Sequence, residues 1–301
     1  MPPYSTPLQK VTTMFDIPGL STGDFHGFPS LLIQTPFSHA AISLFGGQLL
    51  SFVPSGGEEV MWLSPLVQPP PTAIRGGIPV CWPYFGRQGQ RDTMPAHGFV
   101  RTVPWQQVES CQENDGSLFL VLGPPPLKHL GLHLRMTLRI GRTLEQELAT
   151  ENISHAPISF TQALHNYFRV SNALQVTVQG LDGVEYLDKF EGYTQRHRQQ
   201  GNWTLQDPRD PGRADRIYVD TSGHYVLVDP LFSRRIVLTT EGSHSLVVWN
   251  PGHAGASNMI DVADGWRDYL CLEPANVGPD EIELLPGARH VLRQSIAIAP
   301  L

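Results

Sequence analysis

An all-β fold, a large antiparallel sandwich, is predicted by three features of the 301-residue sequence. Gly and Pro are abundant, at 28 and 27 residues. Together they make about 18% of the chain, against roughly 12% in average usage, and both break helix interiors. Apolar residues recur with period two and hardly anywhere with the helical period. The apolar fraction is 41%, with six Trp and thirteen Phe, enough to fill a sizeable core and to argue against disorder. Helical bundles, coiled coils and helical repeats are thereby disfavoured. The Pro-rich segments Gln68-Pro-Pro-Pro-Thr72 and Gly123-Pro-Pro-Pro126 are too short for domain linkers and read as rigid loops. Residues 1–301 are therefore expected to form a single domain.

The first predicted strands are Leu31 to Gln34, Ala41 to Phe45 and Leu118 to Leu122. The clearest follows. In Leu132 to Ile140 every even position is apolar, and the odd positions are His133, Arg135, Thr137 and Arg139. That is the signature of a half-buried strand. In Thr143 to Glu151 the apolar Leu144 and Leu148 are again even, while Glu145 and Glu147 are odd. A three-residue loop, Gly141 to Thr143, brings both apolar faces together and sets Arg139 opposite Glu145. Further strands are expected at Ser159 to Val170, Gln175 to Gln179, Tyr225 to Asp229 and Arg235 to Thr239. The last are Ser245 to Trp249, Tyr269 to Leu272 and Val291 to Ile298. Short strands between Gly/Pro turns indicate a sandwich.

The formal net charge is −7 and the pI about 5.9. A mildly acidic chain is a poor general binder of nucleic acid or anionic membrane, although converging Arg side chains can still hold a small anion. Cys81, Cys111 and Cys271 are odd in number and far apart, with no CxxC pair. Neither a disulfide framework nor a structural zinc site is expected, and a reducing cytoplasm fits best. Met1-Pro-Pro-Tyr-Ser-Thr lacks the basic start of a signal peptide, and no apolar run reaches the 18 or so residues of a membrane span.

Polar side chains on apolar strands carry the chemical signal. Along Phe160 to Val170 the odd positions are Thr161, Ala163, His165, Tyr167 and Arg169, so His165 sits mid-strand on a face that could line a cleft or simply be a satisfied core. Glu273 closes Tyr269-Leu-Cys-Leu-Glu273 and shares a face with Tyr269 and Cys271. It lies either at a rim in water or in a pocket. Arg75-Gly-Gly-Ile-Pro-Val-Cys-Trp-Pro-Tyr-Phe-Gly86 would make a rigid loop with an aromatic wall. Pro95-Ala-His-Gly-Phe-Val-Arg101 adds His97 and Arg101. Arg75 and Arg101 could converge on an anion, because guanidinium forks match phosphate geometry. His129-Leu-Gly-Leu-His133 runs into a strand, which disfavours helical two-His zinc geometry. A nucleophile elbow, a Walker loop and a dinucleotide fingerprint are all missing from the sequence. A two-carboxylate glycosidase remains open on pattern alone.

Five segments occur in one family's order: Arg75 to Gly86, His97 to Arg101, Ala163-Leu-His-Asn-Tyr-Phe168, Val248-Trp-Asn-Pro251 and Cys271-Leu-Glu-Pro-Ala275. Together the sequence resembles hexose-6-phosphate mutarotases, the glucose-6-phosphate 1-epimerases of the aldose 1-epimerase superfamily, from about residue 45 to 290. The resemblance implies a galactose mutarotase-like β-supersandwich. It implies His165 as general acid, Glu273 as general base and His97 as a sugar-binding residue. It puts Arg75 and Arg101 at the phosphate and Asp215 on a sugar hydroxyl, with Arg213-Ala214 where the family has an acidic lead-in. Gln162 is expected at the sugar as well. The implied partner is a small sugar phosphate, the protein a cytoplasmic monomer that needs no metal or cofactor.

The implied reaction exchanges α and β anomers. Glu273 takes the proton of the C1 hydroxyl, His165 gives one to the ring oxygen, the C1–O5 bond opens, C1–C2 rotates and the same pair closes the ring. Ordinary pKa values of about 4.3 and 6.5 already supply an ionised base and a partly protonated acid. A nearby carboxylate should favour charged His further. Alternatives are a mutarotase of unphosphorylated aldoses and a carbohydrate-binding protein without activity.

Overall fold

The structure is a computed structural model that describes residues 17–88, 94–206 and 212–301. Antiparallel strands dominate it, as the composition requires, and two eight-stranded sheets form its body. The outer sheet runs in the order Thr177–Gln179, His224–Asp229, Arg234–Glu241, Arg289–Pro300, Leu144–Asn152, Leu132–Ile140, Leu118–Gly123 and Gln106–Gln112. Its alternation is the one read from the sequence. Leu132, Leu134, Met136, Leu138 and Ile140 are buried, and the residues between them face outward. The predicted hairpin is present in the predicted register, with Arg139 opposite Glu145 and Gly141 N–H bonded to the Thr143 carbonyl. Arg139 also binds Glu113 and Asp115, just beyond the end of the edge strand.

The inner sheet runs Arg196–Arg198, Glu185–Asp188, Ala214–Val219, Ser245–Asn250, Tyr269–Asn276, Gln162–Leu164 and Val80–Cys81, and Tyr167–Arg169 also pairs with Tyr269–Asn276. Every residue of Ala214–Val219 and of Tyr269–Asn276 is buried. One face packs on the outer sheet, and the other is covered by loops. A four-stranded sheet of Leu20–Phe25, Phe28–Gln34, Ser38–Ser43 and Leu49–Pro54 adjoins them, and one apolar cluster runs through all three. Ile158–Phe160 pairs with Ile282–Leu284 in a small separate ribbon.

Two expectations are corrected here. Ser159 to Val170 is not one strand but three pieces, interrupted at Thr161 and at His165–Asn166. At each break the backbone N–H turns to a loop carbonyl, Thr161 to Pro83 and His165 to Pro79. The strand of Glu273 does not close there but continues through Pro274 to Asn276. Pro274 has no N–H to give, and on one side it adjoins the interruption beside His165, where the ladder is already open. All three cysteines are free.

Candidate active site

Register creates the site. The pairing between Gln162–Arg169 and Tyr269–Asn276 is continuous across the interruption, from Gln162 opposite Asn276 to Arg169 opposite Tyr269. His165 therefore falls opposite Glu273. The two side chains meet on the loop-covered face, with His165 Nδ1 3.4 Å from Glu273 Oε1. His165 is 6% exposed and Glu273 1%. Glu273 is thus buried and not in water at a rim.

The neighbours hold the imidazole plane. Tyr167, two residues along the same face, stacks on His165 with centroids 4.7 Å apart and planes 6° apart. Trp249 meets the ring edge-on at 5.9 Å. Behind the pair, Asn166 exchanges two amide hydrogen bonds with Gln294 of the outer sheet, at 2.7 and 3.0 Å. It also donates to the Leu272 carbonyl at 2.9 Å. Gln294 continues to Gln146. A buried amide chain thus ties the residue after His165 to both sheets, where an unpaired amide would cost about 1–3 kcal/mol.

His97 faces this pair, its ring 5.7 Å from that of His165. Its Nδ1 accepts the Gly86 N–H at 3.3 Å, which leaves Nε2 to face the cleft. Its φ of +66° is strained for a non-glycine residue. Gly98 follows with φ +75°, and a Cβ there would lie 2.0 Å from the Trp82 carbonyl oxygen. This crossing of the two motif loops holds His97 in place. Gly98→Ala is expected to cost at least about 1–3 kcal/mol from the backbone conformation alone, measured as a lowered melting temperature. Unchanged melting would show that the loop crossing is not a fixed contact. On the other side Gly77 has φ +61°, and its absent Cβ would stand 2.1 Å from the Leu49 carbonyl. That closeness lets the Arg75 segment run beside Tyr167, whose N–H binds the Gly77 carbonyl.

The cations of the motifs do gather here. Arg75 and Arg101 both act electrostatically on His165 and on His97. Arg75 is partly committed, with Nε on Asp261 at 3.0 Å and a terminal N–H on the Tyr167 hydroxyl at 3.1 Å. Arg101 donates to the Ala96 carbonyl at 3.0 Å. Asp215 lies in the same neighbourhood, raising the pKa of Glu273, and is bound by Lys189 at 2.8 Å and by the Tyr193 hydroxyl at 3.2 Å. Gln162 is not brought together with them. Its parity is opposite to that of His165 and it is fully buried. Its amide donates to Asn276 on the face turned away from the cleft.

Burial works against the expected charge state. Desolvation holds His165 well below its ordinary pKa, and His97, Arg101 and Arg75 push the same way. Desolvation and Asp215 hold Glu273 well above its own, against the opposing pull of Lys189 and Arg101. Both shifts favour neutral imidazole and neutral carboxylic acid over the ion pair that ordinary values give. Both versions carry one proton.

The family model for aldose 1-epimerase matches residues 29–297. The chain belongs to the aldose 1-epimerase family. An Escherichia coli K12 protein provisionally described as a glucose-6-phosphate 1-epimerase is 33% identical over 291 residues, covering 94% of each chain. A crystal structure of a provisionally assigned mutarotase from Salmonella typhimurium superposes with TM-score 0.84 at 29% identity, covering 98% of this chain and 96% of that one. A galactose mutarotase-like protein from Clostridium acetobutylicum shares the fold alone, with TM-score 0.68 at 13% identity over 94% and 98% of the two chains. In this aldose 1-epimerase family member, sequence reasoning passed over Tyr167, Trp249, Asp261, Lys189 and Tyr193. Tyr167 shares the phase of His165, and Trp249 lies in a quoted motif, so both were within reach. Lys189 opens a short 3₁₀ turn, Lys189–Glu191, capped by Asp188, and Tyr193 follows just after it; neither carries a periodic signal.

Proposed function

We propose that the protein interconverts the α and β anomers of a hexose 6-phosphate, with glucose 6-phosphate as the leading substrate. The reading rests on one observation above all: a buried His165–Glu273 pair at 3.4 Å with Arg75, Arg101 and Lys189 around it. Acid and base must be present together on opposite sides of one hemiacetal, and this pair holds a single proton between them. A sugar entering the cleft brings hydroxyl groups that solvate charge. Moving the proton from Glu273 to His165 then creates carboxylate and imidazolium without exchange with solvent.

Glu273 takes the proton of the C1 hydroxyl, His165 protonates the ring oxygen, and C1–O5 opens. The open-chain aldehyde faces the neutral pair again. After rotation about C1–C2, Glu273 returns a proton to the carbonyl oxygen and His165 withdraws one from the C5 hydroxyl. Only protons move, so the chemistry calls for no redox group. His97 Nε2 and Asp215 are suited to hold ring hydroxyls, and Trp249 to cover an apolar sugar face.

The phosphate is assigned to Arg101 first and to the free N–H groups of Arg75 second. Arg101→Ala should lower kcat/KM for glucose 6-phosphate about 10–100-fold, the worth of a charge-assisted bond, and leave free glucose nearly unaffected. Arg75→Ala should follow the same pattern with an added loss on both sugars, because it strips Asp261 and Tyr167 of a partner. Rates by coupled polarimetry decide. Equal losses on the two sugars for Arg101→Ala would contradict the phosphate assignment. The commitment of Arg75 to Asp261 and Tyr167 favours a second reading, in which Arg75 is structural and the substrate is an unphosphorylated aldose. Faster turnover of free glucose by the unaltered protein would support that one.

A further inference from the structure

We propose that the floor of this cleft is also a site for a thiophilic divalent cation, zinc or cadmium, held by His165, Cys271 and Glu273. The ligating atoms of these three buried side chains lie within 4.8 Å of one another. His165 Nδ1 and Glu273 Oε1 are 3.4 Å apart, close to the ligand–ligand edge of a tetrahedral zinc site with bonds of about 2.0–2.3 Å. A Cys271 Sγ within 4.8 Å of both completes the set. Cys271 and Glu273 are two apart on one strand and so share a face. His165 enters from the strand opposite.

Two buried atoms of the cluster make no well-formed hydrogen bond: Glu273 Oε2, and His165 Nδ1, which has only the 3.4 Å approach to Glu273 Oε1. Buried polar groups are nearly always satisfied, so orphans at one point are a signal. The donor set of imidazole, thiolate and carboxylate suits zinc or cadmium, while magnesium and calcium prefer oxygen alone. Charge balances as well: a dication with one thiolate and one carboxylate is neutral, which a buried site tolerates. Binding sends the Cys271 thiol proton and the proton of the His165–Glu273 pair to solvent. Three protein ligands leave a fourth position open to the cleft.

The ion would occupy the acid and the base together. It would act as an inhibitor that competes with sugar, not as a cofactor. That competition rests on the mutarotase reading, whereas metal binding itself does not.

The test uses the full chain carrying Cys111→Ser, which removes the exposed thiol, with cobalt(II) as optical probe. One equivalent should bind with a thiolate-to-cobalt charge-transfer band that zinc displaces. Cys271→Ser should abolish the band and weaken binding roughly 100-fold or more; Cys81→Ser should leave the band. If Cys271→Ser does not fold, Glu273→Gln, nearly equal in volume, should weaken cobalt binding by at least about tenfold. With sugar, zinc should raise the apparent KM and leave kcat unchanged. Absence of the band at one equivalent, its survival in Cys271→Ser, or unchanged affinity in Glu273→Gln overturns the site. A band in a protein without anomerase activity keeps the site and overturns the mutarotase reading.

Discussion

Glu273→Gln is expected to lower anomerase turnover by about 10²–10⁴-fold, the range for removing a general base, while making the protein more stable. The two effects have one cause. Glu273 is 1% exposed, and burial holds its pKa well above the ordinary 4.5. An acid whose folded pKa is raised contributes stability only while protonated. Above 4.5 the unfolded chain releases that proton and the folded chain keeps it, so stability falls as pH rises toward the folded value. Gln has the shape of the protonated acid and no proton to lose. The melting temperature of Glu273→Gln should therefore exceed that of the wild type by a margin that grows with pH above 4.5. The gain is at most about 1.4 kcal/mol per pH unit. Thermal melts from pH 5 to 9, with turnover on the same samples, check both halves. Near-wild-type turnover would remove Glu273 from the chemistry, and a margin that does not widen with pH would contradict its burial as a neutral acid.

Replacing the partner should be equally severe. His165→Asn removes the group that serves the ring oxygen and should also cost about 10²–10⁴-fold. The double variant, His165→Asn with Glu273→Gln, should be little worse than the slower single variant, because the two act as one proton-holding unit. Losses that multiply would mean two independent contributions.

The pH profile follows from the same pair. The competent enzyme carries one proton on it. With ordinary values this window would span only 4.5 to 6.5 and close just below neutral pH. With the proton on Glu273, His165 sets the acid limb and Glu273 the alkaline limb, and burial moves the first down and the second up. The phosphate's own second ionisation, near pH 6, adds an acid limb, which makes the alkaline limb of kcat/KM the diagnostic one. It should lie above the ordinary histidine value of 6.5. A decline setting in near pH 6.5 would mean that burial does not govern the pair.

Much of this was legible in the sequence, and the gaps have physical causes. The Leu132–Ile140 hairpin was readable to the residue, because one of its faces meets water and alternation survives. Ala214–Val219 was missed because it is buried on both faces, which erases alternation. Gln106–Gln112 was missed because it is an edge strand whose residues are mostly exposed. Phase alone put His165 with Tyr167 and Glu273 with Cys271. That the two strands adjoin, and in the register that sets His165 against Glu273, is a long-range fact no local pattern contains. The partner of Arg75 is Asp261, 186 residues away. The direction of the pKa shifts was missed for a related reason: ordinary pKa values describe solvated groups, and burial is set by the tertiary fold. Gln162 stands one residue before the Ala163–Phe168 motif and has the wrong parity for the cleft.

The central claim is that this buried one-proton pair opens and closes a hexose phosphate ring. Two-dimensional exchange NMR on equilibrated glucose 6-phosphate tests it most directly, since it reads α–β interconversion with no coupled reaction. The protein should produce cross-peaks between the two anomeric protons that grow with its concentration and disappear in Glu273→Gln. Cross-peaks no stronger than those of the sugar alone would contradict it.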